Sequence, residues 1–144
     1  MIWTTWENVG VDRMACAWFI RKYLDSKAEF KFLPYGTKPQ DIENTFDMPG
    51  AQYSHNRGKC SFAAMVKIHK NKDTVINAMV EIVDGADEVS DSLPPPESYG
   101  LEALCVGTRL SSISDNIALE KGLGIYDALY KFIENKLEIR GNID

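Results

Sequence analysis

The stretch Val11-Asp12-Arg13-Met14-Ala15-Cys16-Ala17-Trp18-Phe19-Ile20-Arg21-Lys22-Tyr23-Leu24 decides the fold class. Its apolar side chains fall on nearly every side of a helix, and Arg21 and Lys22 arrive only near its end. A helix that is apolar all round belongs inside a core. Asp12 is placed to cap its start, and the late basic residues suit the negative end of its dipole, so the polar group nearest the interior lies at the N-terminal end. Glu29-Phe30-Lys31-Phe32-Leu33 then alternates polar and apolar up to Pro34, the period-two pattern of a short strand. Helix followed by strand predicts an α/β fold: a predominantly helical single domain, residues 1–144, with a small sheet of short strands.

Working outward, a weak helical pattern covers Pro39 to Phe46, and Asp47-Met48-Pro49-Gly50 reads as a turn into a brief strand at Ala51 to Ser54. Helices are predicted from Ser61 to His69 and from Thr74 to Val83, where Val75, Met79, Val80 and Val83 share a face. The chain turns polar at Asp84-Gly85-Ala86-Asp87. Pro94-Pro95-Pro96, in a serine- and aspartate-rich segment, marks a stiff connector. Two more helices are predicted, from about Tyr99 to Leu110 and from Asn116 to Leu137, the second with a break at Gly122-Leu123-Gly124.

With 144 residues, 44% of them hydrophobic, the chain is long enough for one domain with its own core. A net charge of -5 and a pI near 5.1 argue against direct nucleic-acid binding, which needs a basic footprint. No apolar run approaches the roughly 20 residues that cross a bilayer, and Met1 to Glu7 lacks the order of a signal peptide. The expectation is a cytoplasmic protein with no membrane partner. Cys16, Cys60 and Cys105 are an odd, widely spaced set without a C-x-x-C pair, so reduced thiols are expected.

Chemistry concentrates in Tyr53-Ser54-His55-Asn56-Arg57-Gly58-Lys59-Cys60-Ser61-Phe62, which brings histidine and cysteine into a basic, glycine-bearing turn that opens a helix. Arg57, Lys59 and the backbone amides near Ser61 converge on the positive end of that helix, where an oxyanion is favoured. The same surroundings lower a thiol pKa, so Cys60 is a candidate thiolate for metal binding or reduction. The plainer alternative is a Gly58 hairpin with surface charges and a buried Cys60. Asp12 and Cys16, four apart, share a helix face beside Arg13, either as half of a polar site or as a cap, a core residue and a surface charge. Asp84 and Asp87 sit where the helix dipole disfavours carboxylates, and compensation comes from a metal shared with His55, a salt bridge to Arg13, or solvent. His69 reads as a solvent-facing helix end.

The blocks Val11 to Arg21, Phe46-Asp47-Met48-Pro49-Gly50-Ala51, Ser54-His55, Cys60-Ser61-Phe62, Ile82-Val83-Asp84-Gly85-Ala86-Asp87 and Tyr126-Asp127-Ala128-Leu129-Tyr130 resemble the ChrB-type chromate resistance domain, over nearly the whole chain. Asp84 stands where that block is expected to carry a basic residue, and Ala63 where an acidic one is expected. In the family this domain often follows a winged-helix-like regulatory domain, which these residues do not contain, so a repressor role is not expected.

The resemblance implies a cytoplasmic metal- or oxyanion-binding protein linked to chromate or metal stress, acting by thiol-based sensing or sequestration. The His55 to Ser61 turn then faces the Asp12 end of the first helix. On this expectation Arg13, Arg57, Lys59 and Ser61 would bind chromate or a related oxyanion, and Cys60 and Asp12 would carry the chemistry. If the ligand is instead one divalent metal ion, His55, Cys60, Asp84 and Asp87 are the residues expected to hold it. Two alternatives stay open: a phosphoesterase-like, metal-dependent hydrolase using Asp12, His55, Asp84 and Asp87, and a partner-binding or self-associating module without catalytic activity, built on Trp3, Trp6 and the C-terminal helix.

Overall fold

The computed structural model describes residues 1–87 and 93–143. Strand β1 (Ile2–Trp6) runs parallel to β2 (Glu29–Leu33), with Ile2 opposite Glu29 and Trp6 opposite Leu33. Parallel neighbours need a crossover. Here it is α1 (Val11–Phe19), prolonged by a π-helical turn over Ile20–Leu24 that closes with Asp25 N donating to Ile20 O at 2.7 Å. Arg21 then clamps Ala28 O through Nε and Nη2, at 3.0 and 2.9 Å, and fixes the entry into β2.

Among the described residues four helices follow: α2 (Ser61–Ile68), α3 (Thr74–Ala86), α4 (Glu97–Leu110) and α5 (Asp115–Ile143). α1 is the hub. Every side chain from Met14 to Ile20 is buried, and α1 packs against α2, α3, α4 and α5. Polar side chains pin the assembly at its margins. Tyr126 Oη donates to Val11 O at 2.5 Å, Trp18 Nε1 donates to Asp127 at 2.8 Å, and Val9 N donates to Asp115 at 2.9 Å. The result is the predominantly helical α/β fold with a small sheet that the buried helix and its strand predicted. Among the described residues, no helix is long and apolar enough to cross a membrane.

The differences from expectation have local causes. β1 has no alternating pattern because Trp3, Thr4 and Thr5 are all buried, as in a strand covered on both faces. Residues 39–46 are not helical. Asp41 and Asn44 take left-handed backbone angles, with φ 58° and 54°, and Thr45 instead pairs in parallel with Thr4, leaving β1 between β2 and this segment. The expected strand at 51–54 reduces to Tyr53 pairing with Phe46. The helix expected to end at Val83 continues through Asp84-Gly85-Ala86 as the last turn of α3, with Asp87 as its C-cap. α5 runs unbroken through Gly122-Leu123-Gly124 because Gly122 is a point of close approach: a Cβ there would lie 2.7 Å from Met14 Sδ. Part of the serine- and aspartate-rich segment before the prolines, residues 88–92, lies outside the described residues.

Two helical glycines should therefore respond oppositely to alanine. At Gly85 a Cβ would meet Ser98 Oγ at 2.5 Å and Pro94 Cβ at 2.6 Å, whereas at Gly107 nothing lies within 4 Å. Gly107→Ala is expected to stabilise by about 0.5–1 kcal/mol through helix propensity. Gly85→Ala is expected to destabilise by about 1–3 kcal/mol through overpacking. Urea unfolding midpoints check both.

Candidate functional site

Asp12 does not cap its own helix. Gly10 holds that position, and the Asp12 carboxylate, only 3% exposed, turns instead to the start of α2. Its Oδ2 accepts from Ser61 N at 2.7 Å and its Oδ1 from Phe62 N at 2.8 Å. Asp84 Oδ1 accepts from Cys60 N at 2.9 Å, and Cys60 Sγ accepts from Ala63 N at 3.4 Å. A helix start leaves a short run of amides without backbone partners. Here those of Cys60, Ser61, Phe62 and Ala63 are all taken by side chains of the same chain. The place expected to receive an oxyanion is filled by the protein's own carboxylates, which the dipole favours for the same reason.

The cations expected to clamp that oxyanion are engaged elsewhere. Arg13 pairs with Asp47 at 3.3 Å, donates to Asp47 O through Nε and Nη2 at 3.3 and 3.2 Å, and donates to Asn8 O through Nη1 at 3.0 Å. Lys59 lies 3.7 Å from Asp84, and Arg57 is exposed in the Asn56–Lys59 turn with φ 51°. Ser61 presents its amide to Asp12 and donates its hydroxyl to Asp47 Oδ1 at 2.8 Å.

His55 is brought to Asp12 by the same docking. Its Nε2 lies 2.9 Å from Asp12 Oδ2, 3.1 Å from Asp87 Oδ2 and 3.7 Å from Asp47 Oδ1. One Nε2–H cannot point at two carboxylates. It serves Asp12, and Asp87 Oδ2 is buried with no hydrogen bond among the described residues. Ligand-capable atoms of Asp12, His55 and Asp87 all lie within 4.8 Å of one another. Of the expected metal set, His55 and Asp87 meet here, joined by Asp12. Asp84 and Cys60 are drawn off to the α2 cap.

Electrostatics follow from this crowding. Burial opposes charge on Asp12, but hydrogen bonds from His55, Asp47, Phe62 N and Ser61 N hold it below the usual carboxylate range. Burial and then the Asp12 charge push Asp47 well above that range, against Arg13. The hydrogen bond to Asp12 lifts His55 to about 9, against partial burial, and burial with the Asp12 charge lifts Asp87 to about 6. Burial, the Asp12 charge and Asp84 all push the Cys60 thiol up, and buried Cys16, 3.8 Å from Asp12 Oδ1, is pushed up for similar reasons. The helix end that lowers a thiol pKa is here already neutralised by carboxylates.

Asp47 was hidden by its context. Asp-Met-Pro-Gly reads fully as a turn, which it is, with Asp47 at φ 52° and Gly50 at φ 81°; yet the Asp47 carboxyl binds Arg13 and Ser61. His69 stays outside the cluster, with Nε2 2.7 Å from Tyr53 Oη.

Replacing Asp12 by Asn removes a buried charge while leaving its shape, and is expected to lower stability by about 3 kcal/mol, read as a fall in urea midpoint. Stability should also depend on pH. The His55 pKa of about 9 lies above its ordinary 6.5, so its contribution is whole below pH 6.5 and is lost as pH rises through about 9. Asp87 at about 6 lies above its ordinary 3.8, so its contribution is whole below pH 3.8 and fades as pH passes about 6. His55→Ala should flatten the fall of Tm between pH 6.5 and 9, and an unchanged slope would refute the assignment.

Comparison with known proteins gives a consistent placement. The profile of the ChrB C-terminal domain matches residues 3–133, which contain every residue of the cluster. The chain is 29% identical over 132 residues to Protein ChrB of Cupriavidus metallidurans (strain ATCC 43123 / DSM 2839 / NBRC 102507 / CH34), covering 89% of this chain. It spans 39% of the length of that relative. No solved structure matches. The chain belongs to the ChrB C-terminal domain family.

Proposed function

We propose that this domain binds one divalent metal ion through Asp12, His55 and Asp87, and that it serves the chromate or metal stress to which its family resemblance ties it. The observation that carries this reading is Asp87 Oδ2, buried and without a hydrogen bond among the described residues, 3.1 Å from the His55 Nε2 that already serves Asp12. The Nε2 separations of 2.9 and 3.1 Å also match the roughly 3 Å edge of an octahedron whose ligands lie about 2.1 Å from the metal. One imidazole and two carboxylates suit Zn²⁺, Mn²⁺ or Fe²⁺ better than a soft thiolate-seeking ion. A direct oxyanion site at the start of α2 is less well supported, because Asp12 and Asp84 occupy its amides. Thiol sensing is less well supported because Cys16, Cys60 and Cys105 are all buried.

The metal takes the position of the proton on His55 Nε2, so binding releases that proton and tightens as pH rises toward about 9. Calorimetric titration of Mn²⁺ and Zn²⁺ into metal-free protein should show one site. Affinity should fall at least about tenfold in both His55→Ala and Asp87→Asn, in line with losing one ligand. The number of protons released should be read from paired buffers of different ionisation enthalpy. Binding unchanged in both variants, or no binding at all, would sink the proposal, as would chromate binding to metal-free protein that survives His55→Ala.

A further inference from the structure

The outward face of α4 carries no charge. Its exposed residues are Tyr99, Gly100, Ala103, Leu104, Gly107 and Leu110, while the charged Glu97, Glu102 and Arg109 are half-buried. A helix on the surface of a monomer shows the opposite arrangement, with its charges outward. Leu104 is 60% exposed and Leu110 75%. The neighbouring helix extends the face: a groove of about 630 Å³ runs between the two, with Ile125, Ala128 and Phe132 of α5 opposite Gly100 and Leu104. Continuous apolar surface of this kind marks a place that another molecule covers.

The glycines bear on how closely it approaches. In a helix interior each costs about 1 kcal/mol relative to alanine. At Gly85 and Gly122 the chain's own side chains occupy the space of a Cβ, but at Gly100, Gly107 and Gly124 nothing among the described residues lies within 4 Å. Their missing side chains serve no contact within the fold and leave room for a second helix.

Charge decides what the occupant is. The charged residues lining the groove are Glu97 and Lys121. The short turn at 111–114 makes α4 and α5 antiparallel, and Lys136 meets Glu97 at 3.5 Å, so Glu97 marks one end of the groove and Lys121 the other. A two-fold axis across the middle of the groove lays α4 antiparallel on the α4 of a second copy. Pivoting about Ala103 and Leu104, it sets each Gly100 opposite the other copy's Gly107 and each Lys121 at the other copy's Glu97. Lys121 has no ion pair among the described residues, and Glu97 meets Lys136 through Oε1, which leaves its second oxygen for another donor. An axis along the groove would instead set Lys121 against Lys121. The face is therefore complementary to itself, as a closed two-fold dimer requires.

We infer that the α4–α5 face is the interface of a weak two-fold dimer of this chain, with α4 packed antiparallel on α4. By helix dimensions a face about 20 Å long and two helices wide covers about 400–500 Å² per copy, at the low end of specific interfaces, so the dimer is concentration-dependent. Of the other residues expected to serve self-association, Trp3 is buried and Trp6 Nε1 is tied to Thr37 O. No residue of the face belongs to the Asp12, His55 and Asp87 cluster, so the inference goes beyond the metal reading and does not need it.

Sedimentation velocity of the wild-type chain in EDTA, from about 1 to 500 µM, brackets an interface of this size. The mass should rise with concentration from 16.2 kDa toward twice that value. Leu104→Lys should raise the dissociation constant at least about tenfold. Lys121→Glu should raise it about fivefold, the scale of two exposed ion pairs, and adding Glu97→Lys should recover most of that loss. If far-UV circular dichroism shows Leu104→Lys unfolded, Leu110→Lys takes its place. A wild type that stays monomeric throughout, a dimer that the lysine variant leaves intact, or a charge swap that recovers nothing would overturn the inference. So would a monomer that instead binds vesicles through this face. Because the measurement is made without metal, its failure leaves the Asp12, His55 and Asp87 reading standing, and failure of the metal titration leaves this one standing.

Discussion

The buried Asp12 carboxylate, received by the first amides of α2, is the contact around which the site is arranged. It joins the hub helix to a short helix 49 residues away in sequence, and so fixes where the preceding turn must lie. His55 reaches Asp12 because that turn is held there, and Ser61 reaches Asp47 because its amide is anchored one bond away. Placing a second carboxylate, Asp84, at the same helix end concentrates negative charge in a confined space. The dipole, Lys59, His55 and Arg13 answer it. A charge removed from water at this depth is tolerable only because both of its oxygens accept short hydrogen bonds.

Much of this was legible in the sequence. The all-round apolar pattern of Val11 to Leu24 announced a buried helix whose polar group, Asp12, sat at one end, and the His55 to Ser61 turn opened a helix as its residues suggested. What failed was the assignment of partners. A sequence shows that Arg13, Arg57 and Lys59 are positive and that a helix start favours an anion, but not that the anion is supplied by Asp12 and Asp84 from elsewhere in the chain. Cys60 meets the same difficulty: the dipole that activates a thiol is counted twice if carboxylates already use it. Asp47 failed differently. A motif that explains itself as a turn gives no reason to ask what its side chain does.

β1 and residues 39–46 were illegible because they stabilise one another across the sheet rather than through local pattern. Trp-Thr-Thr-Trp lacks alternation when both faces of the strand are covered, and the helical pattern of residues 39–46 yields to the bonds that Asn44 and Phe46 make with Thr4. Tertiary pairing outweighs weak propensity in such segments.

The capping of α2 also bears on how the chain assembles. Eight residues are too few to hold a helix alone in water, and the amides of Cys60, Ser61 and Phe62 are satisfied by residues from α1 and α3 that lie 24 to 50 positions away. α2 therefore depends on α1 and α3 for its start, and its formation carries the loop-closure entropy of that long-range meeting. Hydrogen exchange at Ser61 and Phe62 thus reports the integrity of the whole domain rather than the fraying of one short helix.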